Sequence, residues 1–529
     1  MTDAAATTVH RGRPNILLIM ADAIRRDALG CYGNPLVSTP NLDRLAREGV
    51  RFDYCCVTSP FCSPARASVL SGRWPHAHGL WDNGVRWPRE TTTLATVLDQ
   101  LGYRTGIVGK GHLDVHYNVP SSPDHVFGWD DPRRAEAMTG EHYYGFREQW
   151  RTCAHSKPAG HYGAWLYQEH PEAVRLLDRE AALDTPVGEC WVSALPAELH
   201  SSTYVGDRCV EFLRRYDRRR YTPGQAPFFL FASFPDPHGP YCPPRPYAEM
   251  YDPADVPPPL RRRGETADKP PHFRGEEPGQ YPGWRPYGGA QRANEARSEQ
   301  HDRVLKARYY AMVHLIDVNV GRILAALEAT GQLDDTVVAF MGDHGHMLGD
   351  HWADGYAVWH YDASIRVPLL VRYPGLAAPG GVVPDVVSQA DFAPTICELA
   401  GVPYTTWPPA PGRHPGGVPE PGALPDVQGR SLVGVMRGSA PGRPHALVEY
   451  ESRFIPGLHL KTLRSRNWRI TAYAGRPYGE LYDLRADPDE LVNRWDDPAY
   501  RGPRAELTAL LLDELVRTES RLPPRAAPN

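Results

Sequence analysis

Asn15-Ile16-Leu17-Leu18-Ile19-Met20-Ala21-Asp22 is a nearly unbroken apolar run that ends on a carboxylate. A short run without polar alternation, bounded by turn residues, reads as a strand of a parallel sheet buried on both faces. Open α/β sheets collect their ligands beyond the carboxyl ends of the strands, which is where Asp22 falls. Taken alone, the same aspartate could equally cap a helix. Three further runs repeat the pattern: Thr105–Val108 leads into Gly109-Lys110-Gly111-His112, Phe228–Phe234 into Pro235-Asp236-Pro237-His238-Gly239-Pro240, and Thr336–Met341 into Gly342-Asp343-His344. Each histidine alone could be a core residue and Lys110 a solvated one. Four such endings in one chain instead point to a site along one sheet edge. Like carboxylates repel at close range, so Asp22 and Asp343 beside His344 need a compensating charge, and a divalent metal supplies it.

Thr39-Pro40-Asn41-Leu42-Asp43-Arg44-Leu45-Ala46-Arg47-Glu48-Gly49 carries a threonine cap, a proline at the first helical position, leucines at helical spacing and a stopping glycine. Helices are also expected near 93–101, 203–216 and 302–330, the last with Met312, Leu315, Ile316, Ile323, Leu324 and Leu327 among its apolar positions. The alternation predicts an α/β fold: a large mixed, mostly parallel sheet flanked by helices. Val367–Val371 adds a strand. Past the Pro/Gly-rich stretch 403–428, the runs His445–Val448, Lys461–Thr471 and Gly479–Asp483 predict a smaller C-terminal antiparallel sheet, closed by a helix over Pro503–Thr518. The expected division is a catalytic α/β domain over 14–440, a C-terminal α+β subdomain over 441–520, and flexible tails at 1–13 and 521–529. Residues 120–195 show no clean periodicity and 243–297 are rich in Pro, Gly and Arg; both are expected to be surface insertions that shape a pocket.

The 529 residues carry a net charge of −5, which gives no hint of a nucleic-acid partner. Met1–Arg13 is polar and basic with no apolar core, Ile16–Met20 is too short to span a bilayer, and no later run is expected to reach that length. Nine cysteines, an odd number without framework spacing, point to reduced thiols and a cytoplasmic protein without a membrane partner. Oligomeric state is not readable from the sequence.

Cys62-Ser63-Pro64-Ala65-Arg66 runs on to Leu70 and Ser71-Gly72-Arg73. A free cysteine in a loop-to-helix turn is most often a packed thiol, and a pentapeptide by itself leaves both readings open. Cysteine, proline and arginine at this spacing, followed by Leu-x-Gly-Arg, resemble the signature of the sulfatase family. The resemblance continues in order along the chain. Asn15 to Asp22 with Arg25, Asp27 and Gly30-Cys31-Tyr32-Gly33 is similar to the family's opening metal-ligand strand, and Thr39-Pro40-Asn41-Leu42-Asp43 to its first helix. Val108-Gly109-Lys110-Gly111-His112, Pro237-His238-Gly239-Pro240, and Gly342-Asp343-His344-Gly345 with Leu348-Gly349-Asp350-His351 match later landmarks. So do Ser364-Ile365-Arg366-Val367-Pro368-Leu369 and Glu480-Leu481-Tyr482-Asp483-Leu484 with Asp487-Pro488.

The resemblance implies that a maturation enzyme oxidises Cys62 to formylglycine, whose hydrated form is the nucleophile of sulfate ester hydrolysis. It implies one divalent metal held by Asp22, Asp343, His344 and the group at position 62. It assigns Arg66 to bracing the formylglycine, and Lys110 and His238 to the charge of the transferring group. His112 would deprotonate the spare hydroxyl, and His238 is also a candidate acid for the leaving alcohol. Asn83 is expected as a substrate contact, and the substrate as a small-molecule sulfate ester.

Two positions depart from the family. Ala23 stands where many members have a second acidic or amide ligand, so one metal ligand is absent or replaced by water. With His344 among the ligands, manganese competes with calcium as the expected ion. Ala357 falls where a lysine is usual, and His360 or another basic group is expected in its place. A phosphonate monoester or phosphodiester hydrolase with the same nucleophile is the alternative enzymatic reading; a non-catalytic binding protein on this fold is another.

Overall fold

The run Asn15–Ala21 is a strand, β1, with every residue buried. Ile16, Leu18 and Met20 enter one apolar cluster, while Leu17, Ile19 and Ala21 enter another on the opposite face, which is why the stretch shows no polar alternation. The computed structural model describes residues 12–114, 142–152, 158–180, 190–217, 226–277, 293, 295–406, 423–453 and 455–519.

The main sheet adds β2 (Val50–Cys56), β3 (Arg104–Lys110), β4 (Glu148–Thr152), β5 (Phe228–Phe234), β6 (Thr336–Gly342), β7 (Arg366–Val367), β8 (Leu369–Arg372) and β9 (Gly381–Ser388). Its order is β4-β3-β5-β1-β6-β8-β2-β7, with β9 also paired to β2. From β4 to β6 every pairing is parallel, and β8 turns antiparallel against β6 and β2. Register aligns the strand ends: Ala21 lies opposite both Phe234 and Gly342, and Gly109 opposite Ser233. The residues that follow these ends therefore emerge together.

A two-stranded parallel ladder, β10 (Tyr404–Thr406) with β11 (Leu424–Val427), precedes the second sheet. That sheet is antiparallel in simple order, β12 (His445–Glu451), β13 (His459–Ser465), β14 (Trp468–Tyr473) and β15 (Gly479–Asp483), with the helix Arg501–Thr518 packed on β13 and β14. The fold is thus the expected large mixed sheet with helices plus a small antiparallel sheet. The expected single strand over Lys461–Thr471 is two strands joined at Arg466-Asn467, with Arg464 paired to Arg469 across the turn.

Other differences have local causes. The insertion expected at 120–195 contributes β4 to the sheet edge and two helices, Gly160–Glu169 and Pro171–Glu180, in its described part. In 243–297 the described residues hold short 3₁₀ turns and an isolated bridge from Pro244 to Ser193. The tails at 1–11 and 520–529 lie outside the described residues. The helix Glu299–Ala329 is long and apolar enough to cross a membrane by length and composition, contrary to the expectation that no such run exists. Of its most apolar window, 67% is buried inside the protein, against the helices Pro40–Glu48 and Ser201–Arg215.

Thr39 does not cap the helix Pro40–Glu48 through its side chain, as the sequence had suggested; its hydroxyl accepts from Gly30 N–H and donates to Asp43. The cap comes from Asp317 on the long helix, whose carboxylate accepts from the N–H groups of Asn41 and Leu42 and from the Asn41 side chain. This buried carboxylate joins two helices that flank the sheet. Asp317→Ala should strand those N–H groups and cost about 2 kcal/mol, read as a lower urea midpoint. An unchanged midpoint would show that the cap contributes nothing.

Candidate active site

The helix Cys62–Ser71 is buried along its whole length and starts at the position of the expected nucleophile. Its cap Phe61 offers no side-chain acceptor; instead Asn83 Oδ1 accepts from Ser63 N–H at 2.9 Å. The free end of the helix therefore presents partial positive charge toward the group at position 62. Asn83 was expected to contact substrate, but here its side chain serves the helix and its carbonyl accepts from Arg453 at 2.8 Å.

Around Cys62 stand the ends of β1 and β6. Cys62 Sγ is 3.2 Å from His344 Nε2 and 3.7 Å from Asp22 Oδ1, and His344 Nε2 is 3.6 Å from Asp22 Oδ1 and 4.0 Å from Asp343 Oδ1. One donor atom from each of Asp22, Cys62, Asp343 and His344 lies within 4.8 Å of the others, all four residues being buried. Two carboxylates, an imidazole and a fourth donor at this spacing fit a divalent cation. The second layer fits as well. His344 Nδ1 sits 2.8 Å from Gly345 O, which assigns a proton to Nδ1 and points Nε2 at the cluster, where it would carry a proton without a metal and give it up to ligate one. Burial opposes charge on His344, but Asp343, Cys62 and Asp22 outweigh it and lift its pKa to about 9. A positive charge is wanted here.

Asp343 is held on all sides. Its Oδ1 accepts from Ala23 N–H and His344 N–H, and its Oδ2 from Arg66 Nε at 2.9 Å, while Gln389 donates to its carbonyl at 2.8 Å. Ala23 adopts a left-handed backbone (φ 59°) that turns its N–H onto Asp343, so this position contributes a main-chain donor and no side-chain ligand. Arg66 also donates to Lys110 O and Ser233 Oγ, tying the ends of β3 and β5 to Asp343. Lys110 forms a buried ion pair with Asp22. Burial disfavours the Lys110 charge, yet Asp22 and Cys62 hold its pKa above the usual value. His112 follows β3, buried in a left-handed conformation (φ 60°).

His238 Nδ1 lies 2.5 Å from Gly239 O and Nε2 lies 2.7 Å from the Tyr356 hydroxyl. Burial, reinforced by Lys110 and His344, lowers its pKa to about 4, so it is a neutral imidazole with its proton on Nδ1 and Nε2 accepting from Tyr356. Tyr356 was not foreseen as a site residue. Its ring centroid is 4.1 Å from that of His344. Burial, then Cys62, Asp22 and Asp343, push its hydroxyl well above its usual pKa, keeping it an uncharged donor. Its neighbour Ala357 binds Pro60 O through its N–H. His360, expected as the replacement base, is bonded through Nδ1 to Thr462 on β13 with Arg469 and Glu480 nearby, and burial lowers its pKa to about 3. The side chain that reaches His238 is thus Tyr356 rather than His360. The only sequence signal for Tyr356 is its place beside the departure at 357.

The sulfatase family profile matches residues 14–402, and the chain belongs to this family of sulfuric ester hydrolases. It is 29% identical to an arylsulfatase of Clostridium perfringens, with 96% of this chain and 95% of that protein aligned. It is 28% identical to the multifunctional alkaline phosphatase superfamily protein PehA of Trinickia caryophylli, over 92% of each. Among solved structures, the phosphonate monoester hydrolase of Agrobacterium radiobacter superposes with a TM-score of 0.74 at 28% identity, covering 96% of each chain.

Beside Asn83, Asp82 is buried, and burial pushes its carboxyl up to about 7 against the pull of Arg453 and the Asn83 N–H. Unfolded, it titrates near about 3.9. Between those values the folded protein retains a proton the unfolded chain has lost, so stability falls as pH rises from about 4 to about 7. Asp82→Asn should remove that loss. Above about pH 7 the variant should be the more stable by an amount on the order of 2–4 kcal/mol, the gap closing toward about pH 4. A thermal midpoint no higher than that of the parent above neutrality would show that the carboxylate is accommodated.

Proposed function

We propose that the protein hydrolyses small-molecule sulfate esters to an alcohol and inorganic sulfate, using formylglycine formed at Cys62 by a maturation enzyme. The observation that carries this reading is the gathering of Asp22, Asp343, His344 and position 62 at the buried N-terminus of one helix, in a chain of the sulfatase family. Hydrated, the aldehyde supplies one hydroxyl to attack sulfur and a second whose deprotonation later expels sulfate. A divalent ion, calcium or manganese, supplies Lewis acidity to the sulfuryl oxygens and to the attacking hydroxyl. Asp22, Asp343, His344 and the group at position 62 would hold it.

The remaining roles fall to the chain's own side chains. Arg66 keeps Asp343 in place and binds the ends of β3 and β5, so that the groups around position 62 are fixed before substrate arrives. Lys110 offers an ammonium to the transferring group, with Asp22 maintaining its charge. His112 accepts the proton of the second hydroxyl. His238, held between Gly239 and Tyr356, offers its imidazole to the substrate side.

The likeness to the Agrobacterium phosphonate monoester hydrolase favours a second reading, in which a phosphonate monoester replaces the sulfate ester at the same site. Both substrates are tetrahedral and singly charged. Turnover of an aryl sulfate and an aryl phosphonate by one preparation separates them: a higher kcat/KM on the sulfate is expected, and the reverse order would overturn the first reading. Mass spectrometry of the tryptic peptide carrying position 62 should find it lightened by the exchange of CH2–SH for CHO. Cys62→Ala should keep the fold, shown by an unchanged circular dichroism spectrum, and lose turnover by at least about 10³-fold. An unmodified thiol in fully active protein would refute the nucleophile.

A further inference from the structure

Asp343 stands just beyond the end of β6, where the sheet stops pairing the backbone. Met341 lies opposite Leu369 on β8, so the next antiparallel pair is Gly342 with Pro368. Gly342 N–H donates to Pro368 O at 3.3 Å, but proline has no N–H to return, and Gly342 O loses its ladder donor. On the other side, Asp343 N–H donates to Ala21 O at 3.3 Å. A regular parallel ladder would then bring Ala23 N–H to Asp343 O. The left-handed Ala23 turns that N–H onto the Asp343 carboxylate instead. Two consecutive residues, both buried, are thus left with carbonyls the strands do not serve.

Gln389 serves both. Its Nε2 lies 2.6 Å from Gly342 O and 2.8 Å from Asp343 O, so the two hydrogens of one amide meet two neighbouring acceptors. The side chain is fully buried, and its Oε1 has no donor among the described residues, so the nitrogen end alone makes these contacts. The residue is firmly mounted. It opens the 3₁₀ turn Gln389–Asp391 after β9, where Ser388 and Asp391 form a capping box and Asp391 pairs with the buried Arg443 at 2.5 Å.

We infer that Gln389 is a positioning residue for the metal site: by fixing the backbone that carries Asp343, it sets the direction from which that carboxylate meets the ion. The inference rests on the metal-holding role proposed above for Asp22, Asp343, His344 and position 62. Removing a group that orients a metal ligand lowers metal affinity by about 10–100-fold.

The test loads the enzyme with manganese(II) as the probe and titrates it with EDTA, the released hydrated ion being counted by its electron paramagnetic resonance signal. Gln389→Met keeps the length of the side chain and removes both donors. It should release manganese at an EDTA concentration lower by at least about tenfold. Gln389→Asn draws the amide back by one methylene and should shift release the same way by at least about threefold. Pro368→Ala returns an N–H opposite Gly342 O, so Pro368→Ala/Gln389→Met should recover at least about threefold of the loss. A glutamine that only stabilises the fold would lower the thermal midpoint and leave the release curve of the folded variants in place. A folded Gln389→Met variant with unmoved release, or a folded double variant without recovery, would overturn the proposal. Unmoved release from Gln389→Asn would do so even where the methionine variant fails to fold. A parent enzyme that takes up no manganese would instead overturn the metal-holding reading, and this inference with it.

Discussion

The buried pair between Arg66 and Asp343 is the interaction on which the site depends. Both side chains are fully buried, and their ionised ends meet at 2.9 Å. Arg66 belongs to the helix that begins at Cys62; Asp343 follows β6. Arg66 Nη1 donates to both Lys110 O and Ser233 Oγ, so one side chain registers the helix against three strand ends. Loss of either partner would leave a charge buried without compensation, an arrangement that costs about 3–5 kcal/mol. Such a pair is a poor source of net stability compared with apolar packing. Its value here is positional.

The same economy of charge runs through the surroundings. Lys110 faces Asp22, His344 gains affinity for positive charge from Asp343, and the end of the helix at position 62 is positive. Each carboxylate is opposed by a cation on a different element, so two acids coexist in a buried pocket. A further buried network lies behind, where Arg25 donates to Asp350 at 2.6 Å and to the carbonyls of His346 and Met347. It joins the turn after β1 to the loop after β6, the two segments that carry Asp22 and Asp343.

Much of the fold was legible because the central strands are buried on both faces. β1, β5 and β6 are unbroken apolar runs whose limits differ little from those expected. The strands that escaped notice are marginal in composition. β2 carries Arg51 and Asp53 at half-buried positions, β4 is the polar edge Glu148–Thr152, and β9 contains Pro384. β4 and β9 lie at sheet margins, where charge and proline are tolerated and erase the signature, while β2, paired with β7, β8 and β9, is masked by its half-buried Arg51 and Asp53. The cap supplied by Asp317 was hidden for another reason: Thr39 and Pro40 make a sufficient local signal, and the true acceptor lies 275 residues from Leu42.

The site divides in the same way. Strand endings marked Asp22, Lys110, His112, His238, Asp343 and His344 in the sequence, and the resemblance to the sulfatase signature added Cys62 and Arg66. What they bond to was decided by packing. Asn83 turned to the helix end, His360 to Thr462, and Tyr356 to His238. Periodicity and strand ends are short-range properties of a chain, and the sequence by itself determined those. Partnership across hundreds of residues depends on sheet register and on which backbone turns inward, as the left-handed Ala23 does onto Asp343. Only the tertiary structure could decide that the side chain beside His238 carries a hydroxyl and no charge.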